Sequence, residues 1–406
     1  MKHVIIGAGA AGIQAAKTIR SLEPDSSIVM LSTDRQVHSR CMLHRYLSHE
    51  REEEELSFIP EHFFEDLNIY WAGGSTVSAI GTDEYTVTLE DGTCFLYDRL
   101  LIATGADSLI PPVGQLRNAS NVFGLRHLSD AQAIRRQADQ AENILVIGSG
   151  LVGMDAAYAF LRQRKNVTVV EMADRILPLQ LDKTAGNAYR RLFEAAGCRF
   201  LLGRKAVDTI SNGSGGISAV LLDDGTLIEC GLAVVAAGVR PSLSCIKGSK
   251  IKADRFIETD PFLQTSCPGV YAAGDVTGLS GIWPNAMKQG ETAAYNMCGI
   301  PVQYIDRYAM KNTINFYGLT TLSLGRGTAS EGDTVTLRQD SSGYKKAILR
   351  NGRLDSLLLQ GSIDYSGVYQ YLIKNEIDLS SLKTDIFDIS FADFYGTDSS
   401  GQYQYS

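Results

Sequence analysis

A chain of 406 residues is too long for one ordinary domain and has ample material for two or three. Its 44% hydrophobic and 21% charged residues are those of a globular protein, and no apolar run approaches the length that spans a bilayer. The net charge of −8 argues against general nucleic-acid binding.

Seven cysteines stand at 41, 94, 198, 230, 245, 267 and 298, none in a CxxC or CxxxxC pair. That removes the pattern of a dithiol centre, a zinc site or an iron–sulfur site, and no metal is expected. An odd, scattered set of thiols suits a reducing cytoplasm. Lys2 before an apolar run resembles a secretory leader, but the glycines that follow make a strand–turn–helix the better reading, so no targeting segment is expected.

In chain order, the β-branched run His3-Val4-Ile5-Ile6 leads into Gly7, Gly9 and Gly12 and then into the helical pattern Ile13 to Leu22. Gly7 permits a tight turn, Gly9 lets the backbone approach a pyrophosphate, and Gly12 lets helix and strand pack closely. Phosphates then sit at the helix N-terminus, where unpaired N–H groups and the positive end of the dipole favour them. The next strand, Ile28 to Leu31, ends at Ser32. The acidic residue expected there to hold an adenosine ribose is missing. Ser32 takes its place and Asp34 follows, and either can serve a hydroxyl.

A basic, histidine-rich run from Val37 to Leu47 precedes Glu52 to Glu55, which read as a solvated surface. Val77 and Tyr85 to Leu89, with a turn at Asp91-Gly92, predict a β-meander. The apolar strand Arg99 to Ile102 then closes on Ala103, Thr104 and Gly105, and Pro111-Pro112 marks a linker. A second fingerprint follows: Ile144 to Ile147, then Gly148, Gly150 and Gly153, and a helix from Met154 to Arg162. Its partner strand ends in Glu171, a carboxylate suited to a free ribose and repulsive to a 2′-phosphate, so NAD(H) is expected over NADP(H). A second meander (Ala219 to Glu229) and a strand closing on Gly238 repeat the first unit. This tandem repeat is the firmest feature of the sequence. Val270 to Ala273 then delivers Gly274 and Asp275, and a helix runs from Trp283 to Met297. Beyond residue 308 the texture turns to short β-patterned runs, with a polar, tyrosine-rich tail expected to be mobile.

Taken together, the two fingerprints, Ala103-Thr104-Gly105, Gly238 and Gly274-Asp275 resemble the FAD-dependent pyridine nucleotide–disulfide oxidoreductase superfamily. The resemblance implies an α/β fold: two Rossmann-like, three-layer ββα dinucleotide-binding domains, the second inserted in the first, and a small α+β C-terminal domain. FAD would occupy residues 1–110 with 242–305, NAD(H) residues 111–241, and residues 306–406 would form the C-terminal domain with its mobile tail. Asp275 would hold the ribityl or pyrophosphate end of the flavin cofactor, and the helix at Trp283 would aim its N-terminus at the ring.

Ser39-Arg40-Cys41-Met42-Leu43 looks most like NADH:rubredoxin reductases and the amino-terminal part of the nitrite reductase large subunit. The stretch Met310 to Gly325 resembles their small C-terminal domain. By the same resemblance Ala11, Arg40, Val77, Arg126, Trp283 and Ala286 fall at FAD-contacting positions, and an Arg45–Asp155 pair is expected beside the flavin. The alternative for Arg126 is an exposed arginine ahead of a helix cap at Ser129 or Asp130.

The implied activity is hydride transfer from NADH to FAD, then electron transfer to a redox protein or partner subunit of iron–sulfur or rubredoxin type. Two basic clusters, Arg35, Arg40, Arg45 and Arg51, and Lys345, Lys346, Arg350 and Arg353, are expected to steer an acidic partner. The alternative is an NADH oxidase, peroxidase or coenzyme A–disulfide reductase with Cys41 as a flavin-proximal redox thiol, its thiolate favoured by Arg40, His44 and Arg45. The sequel Met42-Leu43-His44 departs from the Gly-Leu-Pro of those enzymes at two positions. No nucleic acid or membrane span is expected, and the oligomeric state is left open.

Overall fold

The strand Lys2–Ile6 is buried along all but its first residue, which requires a sheet covered on both faces. It lies at the centre of a parallel sheet in a computed structural model of the chain that describes residues 1–305, 311–325, 327–341, 343–397 and 399–405. The sheet order is Val270–Ala272, Arg99–Ile102, Lys2–Ile6, Ser27–Ser32 and Ile69–Gly73. A second five-stranded parallel sheet runs Arg199–Leu202, Asn166–Glu171, Asn143–Ile147, Leu232–Val235 and Val122–Phe123. Every strand of the second sheet falls between Arg99–Ile102 and Val270–Ala272 of the first, so one α/β motif interrupts another.

Each sheet has its own antiparallel meander, Val77–Gly81 with Thr86–Leu89 and Cys94–Leu96, and Ala206–Ser211 with Ile217–Leu222 and Leu227–Glu229. The two chain crossings between the motifs, Ala106–Ser108 and Val239–Pro241, pair antiparallel with each other. The helix Ala10–Leu22 crosses Trp283–Met297 closely enough that a Cβ on Gly290 would strike the main chain of Ala11. The small residues at 11 and 286 surround Gly274 at this crossing.

The chain divides into two compact units, Met1–Met172 with Gly197–Ile305, and Ala173–Ala196 with Asp306–Ser406. The second unit holds an antiparallel sheet ordered Lys311–Phe316, Leu319–Leu324, Arg353–Gly361, Gly343–Arg350 and Thr334–Asp340. Helix Lys183–Ala195 belongs to it: the buried Tyr189 hydroxyl donates to the carbonyls of Ile314 and Leu319. Near its end Tyr395–Thr397 pairs antiparallel with Tyr403–Tyr405. Met310 and Ser406 lie outside the described residues. Among the described residues no helix is long and apolar enough to cross a membrane.

Candidate functional site

Two glycines separate packing from binding. A Cβ at Gly7 or Gly12 would collide with main-chain carbonyls, of Ala103 and Gly7 respectively, so the fold itself demands glycine there. Gly9 is different. Its φ of −82° is open to any residue, and no protein atom lies within 4 Å of where its Cβ would stand. Gly150 repeats this, with φ of −68° and empty space around it. Both are helix N-caps with no side-chain cap, so each leaves unpaired N–H groups facing open space. Neither strain nor packing explains these two glycines; an anionic ligand approaching the backbone does.

At Gly9 that space opens into a cleft. Of the expected residues, it brings together Gly7, Gly9, Ser32, Asp34, Arg40, Val77, Ala103 and Thr104. Gly105, at φ +70°, follows Thr104, whose hydroxyl donates to the Ser242 carbonyl at 2.8 Å. Arg40 presents its guanidinium to the cleft; burial first, then the neighbouring Arg126, lowers it to about 10. Arg126 is not the exposed arginine of the alternative reading. It is 16% exposed, donates to the Ala106 carbonyl at 3.0 Å and forms an ion pair with Asp275. The cap differs as well: the helix Leu128–Ala138 has His127 as its N-cap, and the Asp130 carboxylate accepts from the backbone N–H groups of Arg126 and His127.

The cleft also holds groups that sequence reasoning missed. Gln36 Nε2 and His38 Nε2 are buried with no hydrogen-bond partner, although both residues line it. The His127 ring sits between two carboxylates, Nδ1 3.6 Å from Asp34 and Nε2 3.4 Å from Asp107. The carboxylates of Asp107 and Asp34 raise it to about 9 despite burial. Gln289, wholly buried, accepts from the Gly274 N–H at 2.8 Å and from the Thr277 hydroxyl at 3.1 Å, fixing the turn that carries Asp275. A helix N-terminus with a vacant approach, a cationic wall and orphaned polar atoms fit the pyrophosphate and ribose of a dinucleotide.

At the second glycine turn, Glu171 accepts from the Ser149 N–H at 2.7 Å and its hydroxyl at 2.9 Å. The strand-end carboxylate therefore overhangs the turn that contains Gly148, Gly150 and Gly153. Gly238, at φ +110°, faces open space.

Around Cys41 the structure departs from the expected Arg45–Asp155 pair. Asp155, on the helix Leu151–Arg162, has its contact with His44 Nδ1, at 3.7 Å, and not with Arg45. Arg45 is 45% exposed and faces Glu50 at 3.9 Å. Consecutive residues of a helix point about 100° apart. The Gln163 side chain, donating to the Leu47 carbonyl, docks the short helix Leu43–Leu47 so that His44 takes the inward direction. Burial pushes the Asp155 carboxyl up to about 7, and burial followed by Arg45 pushes His44 down to about 4. Desolvation first and then Asp155 raise the Cys41 thiol, against the opposite pull of Arg126 and Arg40.

Residues of the two basic clusters have local partners, and Arg350 and Arg353 face each other across a strand pair. Arg40 lies in the cleft, Arg45 meets Glu50, and Arg51 donates to the Glu55 carbonyl. Lys346 meets Asp182, Arg350 is held by Asp333 and Asp355, and Arg353 meets Glu376. Trp283 opens its helix with Phe58 packed edge-on at 4.7 Å.

Residues 1–290 match the family model described as pyridine nucleotide-disulphide oxidoreductase. The chain is 30% identical over 397 residues to the NADH-dependent phenylglyoxylate dehydrogenase subunit epsilon of Aromatoleum evansii, covering 94% of each. It is 28% identical over 395 residues to the assimilatory nitrate reductase electron transfer subunit of Bacillus subtilis, covering 95% of this chain and 51% of that relative, or about half its length. The fold superimposes on a chain of the crystal structure of the covalent putidaredoxin reductase–putidaredoxin complex with a TM-score of 0.82 and 26% identity, over 93% of this chain and 94% of that one. The chain belongs to the pyridine nucleotide-disulphide oxidoreductase family, as a flavoprotein oxidoreductase that uses FAD and NAD(H).

Proposed function

We propose that this flavoprotein takes hydride from NADH and passes the electrons to a redox protein or partner subunit of iron–sulfur or rubredoxin type. The observation that carries this reading is the pair of open glycine N-caps, Gly9 and Gly150, one in each dinucleotide motif; a Cys41 thiol raised by desolvation and by Asp155 is in keeping with it. The relatives, a dehydrogenase subunit and an electron transfer subunit, point the same way. Bound FAD supplies the redox chemistry, accepting a hydride and releasing electrons singly.

The chain's own residues bind and orient. In this reading residues 1–110 and 242–305 form the FAD domain and 111–241 the NAD(H) domain, and residues 306–406 are a C-terminal domain. The N-terminus of Ala10–Leu22 and Arg40 hold the pyrophosphate, and Asp275, fixed by Arg126, holds the polar linker. Glu171 receives the ribose of NADH. Asp155, near neutrality in its proton affinity, holds or releases a proton beside His44. Among the described residues no cysteine forms a disulfide, which suits a cytoplasmic enzyme.

The test is acceptor choice. With NADH in excess, a ferredoxin- or rubredoxin-type protein should be reduced faster than oxygen, peroxide or a disulfide. A rate carried by one of the latter acceptors, and lost in Cys41→Ser, would replace this reading with the thiol one.

A further inference from the structure

The end of the first strand that faces away from the cleft carries a different chemistry. Among the described residues, His3, Glu23 and Cys298 offer a ring nitrogen, a carboxylate oxygen and a sulfur that all lie within 4.8 Å of one another. His3 Nε2 is 2.9 Å from Glu23 Oε2. The three residues come from separate elements: His3 from the strand Lys2–Ile6, Glu23 from the C-cap of Ala10–Leu22, and Cys298 from the C-cap of Trp283–Met297. The expectation of no metal rested on cysteine spacing, and only the fold joins these ligands.

Electrostatics at this spot call for a cation. Two helices bring their C-terminal, negative dipole ends together, and Glu23 adds a carboxylate to them. The His3 ring does not supply the missing charge, because burial holds it below its ordinary value. The ring is nonetheless ready to serve as a ligand. Facing a carboxylate, Nε2 carries the proton, and Nδ1 is left buried with no partner. Moving the proton to Nδ1 breaks no bond there and turns Nε2 into a bare lone pair facing Glu23. Arg99, opposite His3 on the neighbouring strand, acts on the ring as a like charge, so the site favours an ion whose charge its own ligands cancel. A carboxylate and a thiolate cancel a divalent ion. One nitrogen, one oxygen and one sulfur are too soft a set for magnesium or calcium, and they suit zinc.

We propose that His3, Glu23 and Cys298 form a zinc-type site that ties the first strand to the ends of both helices. On binding, Cys298 releases its thiol proton to solvent, the imidazole keeps its proton on Nδ1, and a water takes the fourth position. Solvent has access, since the Glu23 side chain is 22% exposed. The ion is structural. His3 stands four residues before Gly7, roughly 13 Å away at the rise of a strand, so the ion lies outside the cleft at Gly9.

The test uses the full-chain holoenzyme, treated with a chelator, dialysed, and titrated with Co²⁺ and then with Zn²⁺ in competition. Wild type should take up a single equivalent of Co²⁺, with a thiolate-to-cobalt charge-transfer band, the strong visible bands of a tetrahedral ion and one proton released per ion. Zinc should displace the cobalt and raise Tm. Cys298→Ser should lose the charge-transfer band. Glu23→Gln and His3→Gln should each weaken zinc by more than the roughly 10–100-fold that an outer-shell partner is worth. Cys94→Ser, which removes an exposed thiol elsewhere, should change none of this. Thermal unfolding of each metal-free variant separates a folding defect from a lost ligand. A wild type that takes up no ion, or a charge-transfer band that survives in Cys298→Ser, overturns the proposal. Flavin content should be the same with and without the metal, and a loss of flavin on chelation would overturn the purely structural role.

Discussion

His44 Nδ1 lies 3.7 Å from Asp155 Oδ2, and this contact joins the segment that carries Cys41 to the helix that opens at the second glycine turn. With His44 lowered to about 4 and Asp155 raised to about 7, it is no salt bridge at neutral pH. It is a neutral imidazole facing a carboxyl poised between its two forms. A carboxyl raised in the folded state binds its proton more tightly there than in the unfolded chain. Stability therefore falls as pH rises from about 4 to about 7. Asp155→Asn should raise Tm at pH 8 by the equivalent of about 1–2 kcal/mol, a value discounted for partial exposure, and leave it nearly unchanged at pH 4. The same variant should remove an ionisation near pH 7 from the pH–rate profile of NADH-dependent dye reduction.

Gly9→Val should give a folded, colourless protein. No atom of the chain lies where the new side chain goes, and its φ suits valine, so Tm of the stripped protein should match wild type within about a degree or two. Flavin content after purification should be near zero, because the side chain fills the approach to the helix N-terminus. Retention of a full complement of FAD would move the cofactor elsewhere.

These glycines show what the sequence makes legible. Gly7 and Gly12, with Gly148 and Gly153, answer to the close packing of one turn, and Gly9 and Gly150 to the approach of a ligand, so spacing alone reveals them. The helix Trp283–Met297 was legible to the residue because Trp283-Pro284 starts it and its apolar face recurs regularly. The His127 clamp was not, since its two carboxylates reach it from separate segments and only the crossing strands bring them together. The choice between His44 and Arg45 was also hidden. They are adjacent and basic, and only the docking of two helices decides which turns inward. The raised Cys41 thiol escaped for a related reason: its arginine neighbours are visible in sequence, whereas burial and Asp155 are not.

Glu171 governs nucleotide choice. Removing a carboxylate that accepts from ribose hydroxyls costs about 1.5–3 kcal/mol, or roughly ten- to a hundredfold in affinity. Glu171→Ala should therefore raise KM for NADH and narrow its advantage over NADPH by that factor. A wild type that already prefers NADPH would contradict the assignment.

His127 makes a prediction in the alkaline range. Its folded-state value of about 9 stands above the ordinary 6.5, so its contribution is complete below about pH 6.5 and disappears as pH rises through 9. The ceiling is roughly 3 kcal/mol. Between pH 7 and 10 the Tm of the stripped wild type should fall more steeply than that of His127→Gln, measured by circular dichroism under identical salt. Parallel slopes would mean that the imidazolium between Asp34 and Asp107 contributes nothing to the fold.

The central claim is that FAD is the only electron store and Cys41 is not a second one. Anaerobic titration with NADH, followed by flavin absorbance, tests it directly. One equivalent of NADH per FAD should complete the reduction in wild type and in Cys41→Ser, with no thiolate-to-flavin charge-transfer band in either. Two equivalents in wild type, falling to one in Cys41→Ser together with loss of such a band, would contradict the account and place the enzyme among the oxidases or disulfide reductases.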